Sequence, residues 1–152
     1  TLTYKLKLKN DIFVHRDFHV SNLMLVKNQI GVIDSQDALI GNRAYDLASL
    51  IDDVRFKTSK ELKQKIYNFY INKQKKLESS KFKNDFEILS ILRNLKIIGI
   101  FTRLATRDRK KRYLKLIPYT WKLINSRIYG NVLFDDLKKL LNKNFEKELN
   151  EN

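Results

Sequence analysis

The texture of the chain changes near residue 55. Before that point, short runs of β-branched and aliphatic residues alternate with polar turns. Beyond it, apolar residues recur every three or four positions, the spacing at which side chains share one face of a helix. A chain patterned in this way is α+β, mostly α, with its strands gathered in the first third. Residues 12–15 form a short apolar strand candidate that runs into the polar segment 16–22. Leu23 to Val26 and residues 30–33 then read as two strands joined across the tight polar turn Lys27-Asn28-Gln29, a β-hairpin with polar loops at both outer ends.

A helix is expected over 45–54, with Asp46 placed either to cap it or to sit in its first turn. Leu62, Ile66, Phe69, Tyr70 and Leu77 place a second helix over 61–77. Ile88, Ile91, Leu92, Leu95, Ile98, Phe101 and Ala105 form a single stripe over 87–106, the strongest periodic signal in the chain. Both stripes read as core-facing. Pro118 marks the first turn of a fourth helix carrying Trp121, Leu123, Ile124 and Ile128, which ends near Gly130. Leu133, Leu137, Leu140, Leu141 and Phe145 make the last. The expectation is a small β-hairpin packed on a bundle of about five helices.

A length of 152 residues suits one domain, since a chain of about 150 residues buries roughly 70% of its unfolded surface. The absence of cysteine excludes disulfides, thiolate zinc sites and cysteine nucleophiles, and fits a reducing compartment, so the chain is expected in the cytoplasm. Its longest apolar run, Ile97 to Phe101, is far short of the ~20 residues of a membrane span. Thr1 stands where Met would start a chain and no basic-then-apolar leader follows, so the start is expected to be a cut in a longer protein. There are 31 Lys and Arg against 17 Asp and Glu, a formal charge of +14. Such a charge ordinarily points to nucleic acid or an anionic membrane. Here it accompanies 22 Lys, 14 Asn and 15 Ile, the residues that AT-rich codons supply. The basic residues are spread from Lys5 to Lys147 without a dense Arg block, so a dedicated nucleic-acid surface is not expected.

The chemistry concentrates in His15-Arg16-Asp17-Phe18-His19-Val20-Ser21-Asn22 and, twelve residues after Asn22, in Asp34. A lone Asp or Asn in a loop is ordinarily a turn former. The spacing sets these apart. Because a hairpin folds back on itself, its outer ends are neighbours, and Asn22 and Asp34 can face one another. An amide oxygen and a carboxylate suit Mg²⁺, a hard ion that keeps several waters and takes the rest of its shell from phosphate. Asp17 beside such a metal can accept or orient a substrate hydroxyl during phosphoryl transfer, where positioning and charge neutralisation do most of the catalysis.

These residues, with Val32-Ile33-Asp34, resemble the catalytic and metal-binding loops of the kinase-like superfamily that includes aminoglycoside phosphotransferases and choline kinases. His19 and the segment Gly41-x-x-x-Tyr45-Asp46-Leu47-Ala48 favour its small-molecule branch. The runs 31–38 and 95–105, and Arg107-Asp108 with Arg112-Tyr113-Leu114, are more narrowly similar to bacterial cell-wall sugar kinases. The resemblance implies the C-terminal lobe of a protein-kinase-like fold over the whole of 1–152, with catalytic and metal-binding loops in 12–55 and a helical substrate subdomain in 56–149. It implies ATP and Mg²⁺ as cofactors, a nucleotide and an amino sugar as partners, and phosphorylation of the anomeric hydroxyl of N-acetylmuramate or N-acetylglucosamine in cell-wall recycling. Asp17 then resembles the catalytic base, Asn22 and Asp34 the magnesium ligands, His15 and Arg16 the frame of the loop, and Asp46 a buried acid that ties the loop to the next helix. His19 either shapes the loop or touches phosphate. Gln36 and Asp37 lie where the family faces its substrate, and sugar contact stands there beside a turn role. Arg103 belongs to a mostly solvated basic turn, from which one Arg could pair with a sugar carboxylate.

Two residues depart from the family pattern: Ser35 in place of an aromatic residue after the metal-binding Asp, and Asn42 in place of Pro after Gly41. Both are expected to loosen their loops. The four glycines lie too far apart to form a phosphate-covering loop, and no strand with a nucleotide-binding Lys precedes His15. The isolated chain is therefore expected to be poorly active or inactive. An aminoglycoside- or choline-type kinase, and a non-catalytic kinase-like binding module, are the rival readings.

Overall fold

The computed structural model describes residues 1–149; the expected lobe of 1–152 thus ends on three residues outside the described ones. Two compact units part at Ser90 and Ile91, inside the longest helix.

The first unit begins with strand β1 (Asn10–Val14), then β2 (Leu23–Val26), β3 (Gln29–Val32) and β4 (Leu39–Asn42), followed by helices α1 (Ala44–Ile51) and α2 (Lys60–Lys73) and the start of α3 (Ser79–Thr106). The hairpin forms where the sequence places it: β2 pairs with β3 antiparallel, Val26 opposite Gln29. Lys27 and Asn28 both take positive φ, +47° and +63°, the signature of the two-residue turn whose twist matches its strands. A second antiparallel pair, β1 with β4, was not anticipated. The β4 run is only four residues long and ends in Gly41-Asn42, too short for an alternating pattern to show. Gly41 lets the two strands approach closely, since a Cβ would stand 3.1 Å from Val14 Cγ2 and 3.0 Å from Leu39 Cδ1, and both side chains would have to give by a few tenths of an ångström. The expectation that the hairpin packs on helices needs correction: apart from Leu23 and Gly31, the side chains of β2 and β3 are exposed, and the buried strand residues are Val14, Gly41 and Asn42 of the other pair.

Ala44, Leu47, Ala48 and Ile51 of α1 pack with Phe82 and Phe86 of α3, and Tyr67 and Tyr70 of α2 close over the two phenylalanines at ring distances of 5.0 and 5.3 Å. Burying each phenylalanine contributes roughly 1.5–3 kcal/mol. Helix α3 starts eight residues before the expected 87, because Phe82 and Phe86 supply the missing turns of its stripe while the buried Asp85 beside them hides the pattern. Helix α2 stops at Lys73 rather than Leu77, and Ser59 caps its other end by accepting the Leu62 N–H.

The second unit holds the rest of α3, then α4 (Ile117–Ile128) and α5 (Asp135–Leu149). Pro118 sits in the first turn of α4, and Gly130 follows its end with φ +75°. Leu133, expected in the last helix, lies in a short 3-10 turn that Asn131 caps. Phe101, Trp121, Ile124, Phe134 and Leu141 are buried. Among the described residues, no helix is long and apolar enough to cross a membrane.

Candidate functional site

Two loops of the first unit meet at the mouth of the hairpin. The first leaves β1 at Val14 and ends in a 3-10 turn, Val20–Asn22, that feeds β2. The second leaves β3 and runs through Asp34 to β4. Three hydrogen bonds stitch them together: the Ile33 N–H donates to the Asn22 carbonyl at 3.0 Å, His15 Nε2–H to the Ile33 carbonyl at 3.0 Å, and Arg16 Nη1 to the Asp37 carbonyl at 3.3 Å. Arg16 and Asp34, each at the head of its loop, take left-handed backbone with φ +72°, a conformation unfavourable for residues with a Cβ and held here by the ties around it.

Within the first loop, the Asp17 carbonyl accepts the His19 N–H and the Asn22 side-chain Nδ2–H, both at 3.0 Å, and the His19 carbonyl accepts the Asn22 N–H at 2.9 Å. The Asn22 amide is thereby fixed with its N–H₂ turned inward, and its Oδ1 has no protein partner among the described residues. Asp34 accepts from Gln36 Nε2 at 3.0 Å through Oδ1, which leaves Oδ2 without one. The Asp17 carboxylate makes no hydrogen bond or ion pair among the described residues. Three oxygen groups without protein partners thus belong to two stitched loops. Asn22 Oδ1 and Asp34 Oδ2 are hard donors that fit Mg²⁺. Among the described residues no group of three or more His, Cys, Asp and Glu could hold a metal ion by itself.

Asp46, expected as a buried acid, is half-buried and hydrogen-bonds to the main chain of the loop. Asp46 lies in the first turn of α1, and instead of capping its own helix it accepts the His15 N–H at 2.7 Å and the Arg16 N–H at 3.0 Å. Sequence reasoning missed a second such acid, Asp53, whose Oδ2 accepts the Val20 N–H at 3.2 Å. Asp53 lies just past the end of α1, seven residues after Asp46, and no local pattern in the sequence marks it. His19 is buried, and its main chain shapes the loop. Gln36 and Asp37 are exposed beside Asp34. Arg103 is in the second unit, exposed, at the rim of an apolar cavity of about 500 Å³ lined by Leu95, Gly99, Trp121 and Phe145.

The departure at Asn42 does not loosen its loop. The Asn42 side chain is buried, donates to Asp85 Oδ2 at 2.7 Å and accepts the Ala44 N–H at 3.0 Å. Asp85 also accepts the Lys7 and Leu8 N–H groups at 2.8 and 2.9 Å. Two side-chain bonds fix here what a proline ring would fix through φ.

The profile of the phosphotransferase enzyme family matches residues 4–77. Among curated relatives, the N-acetylmuramate/N-acetylglucosamine kinase of Neisseria meningitidis is 38% identical over 124 residues, 78% of this chain and 37% of that protein. The kinase of the same name from Caulobacter vibrioides is 34% identical over 130 residues, 82% of this chain and 34% of that one. The Pseudomonas aeruginosa kinase of that name is 33% identical over 136 residues, 86% and 40%. The chain spans little more than a third of the length of these relatives.

Proposed function

Over residues 4–77 this chain belongs to the phosphotransferase enzyme family, and from that premise we propose that it forms the C-terminal lobe of a kinase that transfers the γ-phosphate of ATP to an amino sugar. The acceptor in this reading is the anomeric hydroxyl of N-acetylmuramate or N-acetylglucosamine, the two sugars in the relatives' names. The setting is cell-wall recycling in the cytoplasm. Residues 12–55 carry the reacting loops, and 56–149 the helical substrate part.

The observation that carries the reading is the Asp17 carboxylate, which makes no hydrogen bond among the described residues while the Asp17 carbonyl accepts two. Asp17 accepts the proton of the sugar hydroxyl as its oxygen bonds to the γ-phosphorus and the bond to the bridging oxygen breaks, releasing ADP. Asn22 Oδ1 and Asp34 Oδ2 would hold Mg²⁺, which would supply neutralisation of the phosphate charge. His15 and Arg16 keep the two loops in register, so that base and ligands stay at fixed separation. Gln36 orients the Asp34 carboxylate by its hydrogen bond. In the second unit, Arg103 offers a guanidinium to a sugar carboxylate.

The test replaces the matching segment of the Neisseria meningitidis relative with this chain and follows phosphorylation of both sugars from labelled ATP. Turnover in the chimera that is lost in its Asp17→Asn variant supports the assignment. Near-native turnover in that variant defeats it.

A further inference from the structure

Two carboxylates hold the loop that carries Asp17, one at each end. Asp46 takes the main-chain N–H groups of His15 and Arg16, and Asp53 takes that of Val20. Only Asp17, Phe18 and His19 lie between the grips. Asp53 is buried, 1% exposed, and its second oxygen accepts the Arg55 N–H at 2.9 Å, which fixes its rotamer. Both of its oxygens therefore face N–H donors, an arrangement only a carboxylate satisfies. The bond to Val20 falls on the first residue of the 3-10 turn Val20–Asn22. That turn ends in Asn22, whose side chain folds back on the Asp17 carbonyl.

We propose that Asp53 is a positioning residue for metal binding: by holding the Val20 N–H it fixes the turn that aims the Asn22 amide oxygen. The inference rests on reading Asn22 as a Mg²⁺ ligand. Asp53 touches neither metal nor substrate and acts through the main chain of Val20. A carboxylate at this position sets the direction of the turn, whereas Asp46 sets the entry of the loop.

The proposal can be tested on the 152-residue chain labelled with ¹⁵N, using Mn²⁺ as a paramagnetic stand-in for Mg²⁺ and amide hydrogen exchange to read the clamp. Mn²⁺ is expected to broaden the resonances around Asn22 and Asp34 first. Asp53→Asn puts an N–H₂ group against one of the two donors, so Val20 is expected to exchange about tenfold faster and Mn²⁺ to bind about tenfold more weakly, the effect of losing one charge-assisted hydrogen bond. Val20→Pro removes the donor instead. His19, at φ −140° and ψ 165°, already has the extended backbone that precedes proline, and the first position of the turn accepts it. This variant is expected to weaken Mn²⁺ as much, and the double variant no more than either alone. A role limited to stability would lower the denaturation midpoint and leave Mn²⁺ affinity of the folded chain unchanged. Additive losses, or broadening that Asp53→Asn leaves intact, overturn the proposal alone. No preferential broadening in the wild-type chain overturns the reading of Asn22 as a ligand, and the proposal with it.

Discussion

Asp46 Oδ2 accepts the main-chain N–H of His15 at 2.7 Å, and its partner oxygen takes the next N–H along, that of Arg16, at 3.0 Å. One side chain of α1 thus sets the direction in which the loop leaves β1. Asp46→Asn keeps the shape but offers one acceptor where two are needed, so an N–H₂ group confronts an N–H. The expected cost is about 2 kcal/mol, since hydrogen bonds to charged groups contribute roughly 1.5–3 kcal/mol each. Urea unfolding of the two chains measures it, and a change within 0.5 kcal/mol would show that the grip is dispensable.

The Asp52 pair of the first unit makes a separate claim on stability. Lys63 Nζ stands 3.0 Å from Asp52 Oδ1, Ser90 Oγ–H donates to Asp52 Oδ2, and Asp52 is almost fully buried. Lys63→Met leaves the carboxylate buried without that cation, and removing one partner of a buried pair costs about 3–5 kcal/mol. Asp52→Asn with Lys63→Met together is expected to cost less than Lys63→Met alone, because the buried carboxylate that has lost this cation is then neutral. Equal denaturation midpoints for the two variants would refute this account.

What the sequence made legible were features with a local or periodic trace. The turn at Lys27 and Asn28 announced its hairpin, and the hairpin brought the Asn22 and Asp34 loops together, as Ile33 donating to the Asn22 carbonyl shows. Features carried by single long-range hydrogen bonds left no such trace. Nothing in the spacing of Asp85 reveals that it gathers Lys7, Leu8 and Asn42, residues 43 to 78 positions away. Asn42 read as a weakened loop because its compensating partners come from α1 and α3. The start of α3 was hidden for the same reason, a buried carboxylate standing among its apolar positions.

Asn42 therefore supports a third expectation. Asn42→Ala removes the bond to Asp85 and uncaps the Ala44 N–H. About 2 kcal/mol of stability should be lost, with faster exchange of the Ala44 amide as the local sign. Unchanged exchange at Ala44 would mean that another group satisfies it.

Tyr70 gives a pH signature. Burial raises the ionisation of its phenol above the ordinary tyrosine range, Arg43 opposes this, and the Asp46 charge adds to it. Its hydroxyl donates to the Arg43 carbonyl at 3.4 Å, a bond that only the protonated form makes. Because the folded value exceeds the unfolded one, the stabilisation is complete below about pH 10 and disappears as pH rises through the folded value. Alkaline titration of phenolate absorbance should show a late step that Tyr70→Phe removes. The same variant should flatten the fall of stability with pH.

Asp17 supplies the expectation that separates function from architecture. Its carboxylate makes no bond among the described residues, while its carbonyl accepts two, so the side chain can change without disturbing the loop. Asp17→Asn is expected to unfold within 0.5 kcal/mol of wild type. In the chimera it is expected to lower kcat by 10² to 10⁴, the range ascribed to a positioned general base. Asp46→Asn should do the reverse in relative terms, losing stability first and turnover only as the loop drifts. The two carboxylates are joined through the main chain of His15 and Arg16, yet the proposal gives one to the fold and the other to the reacting hydroxyl. A destabilised Asp17→Asn with intact turnover would exchange those roles and would leave the proposed chemistry without its base.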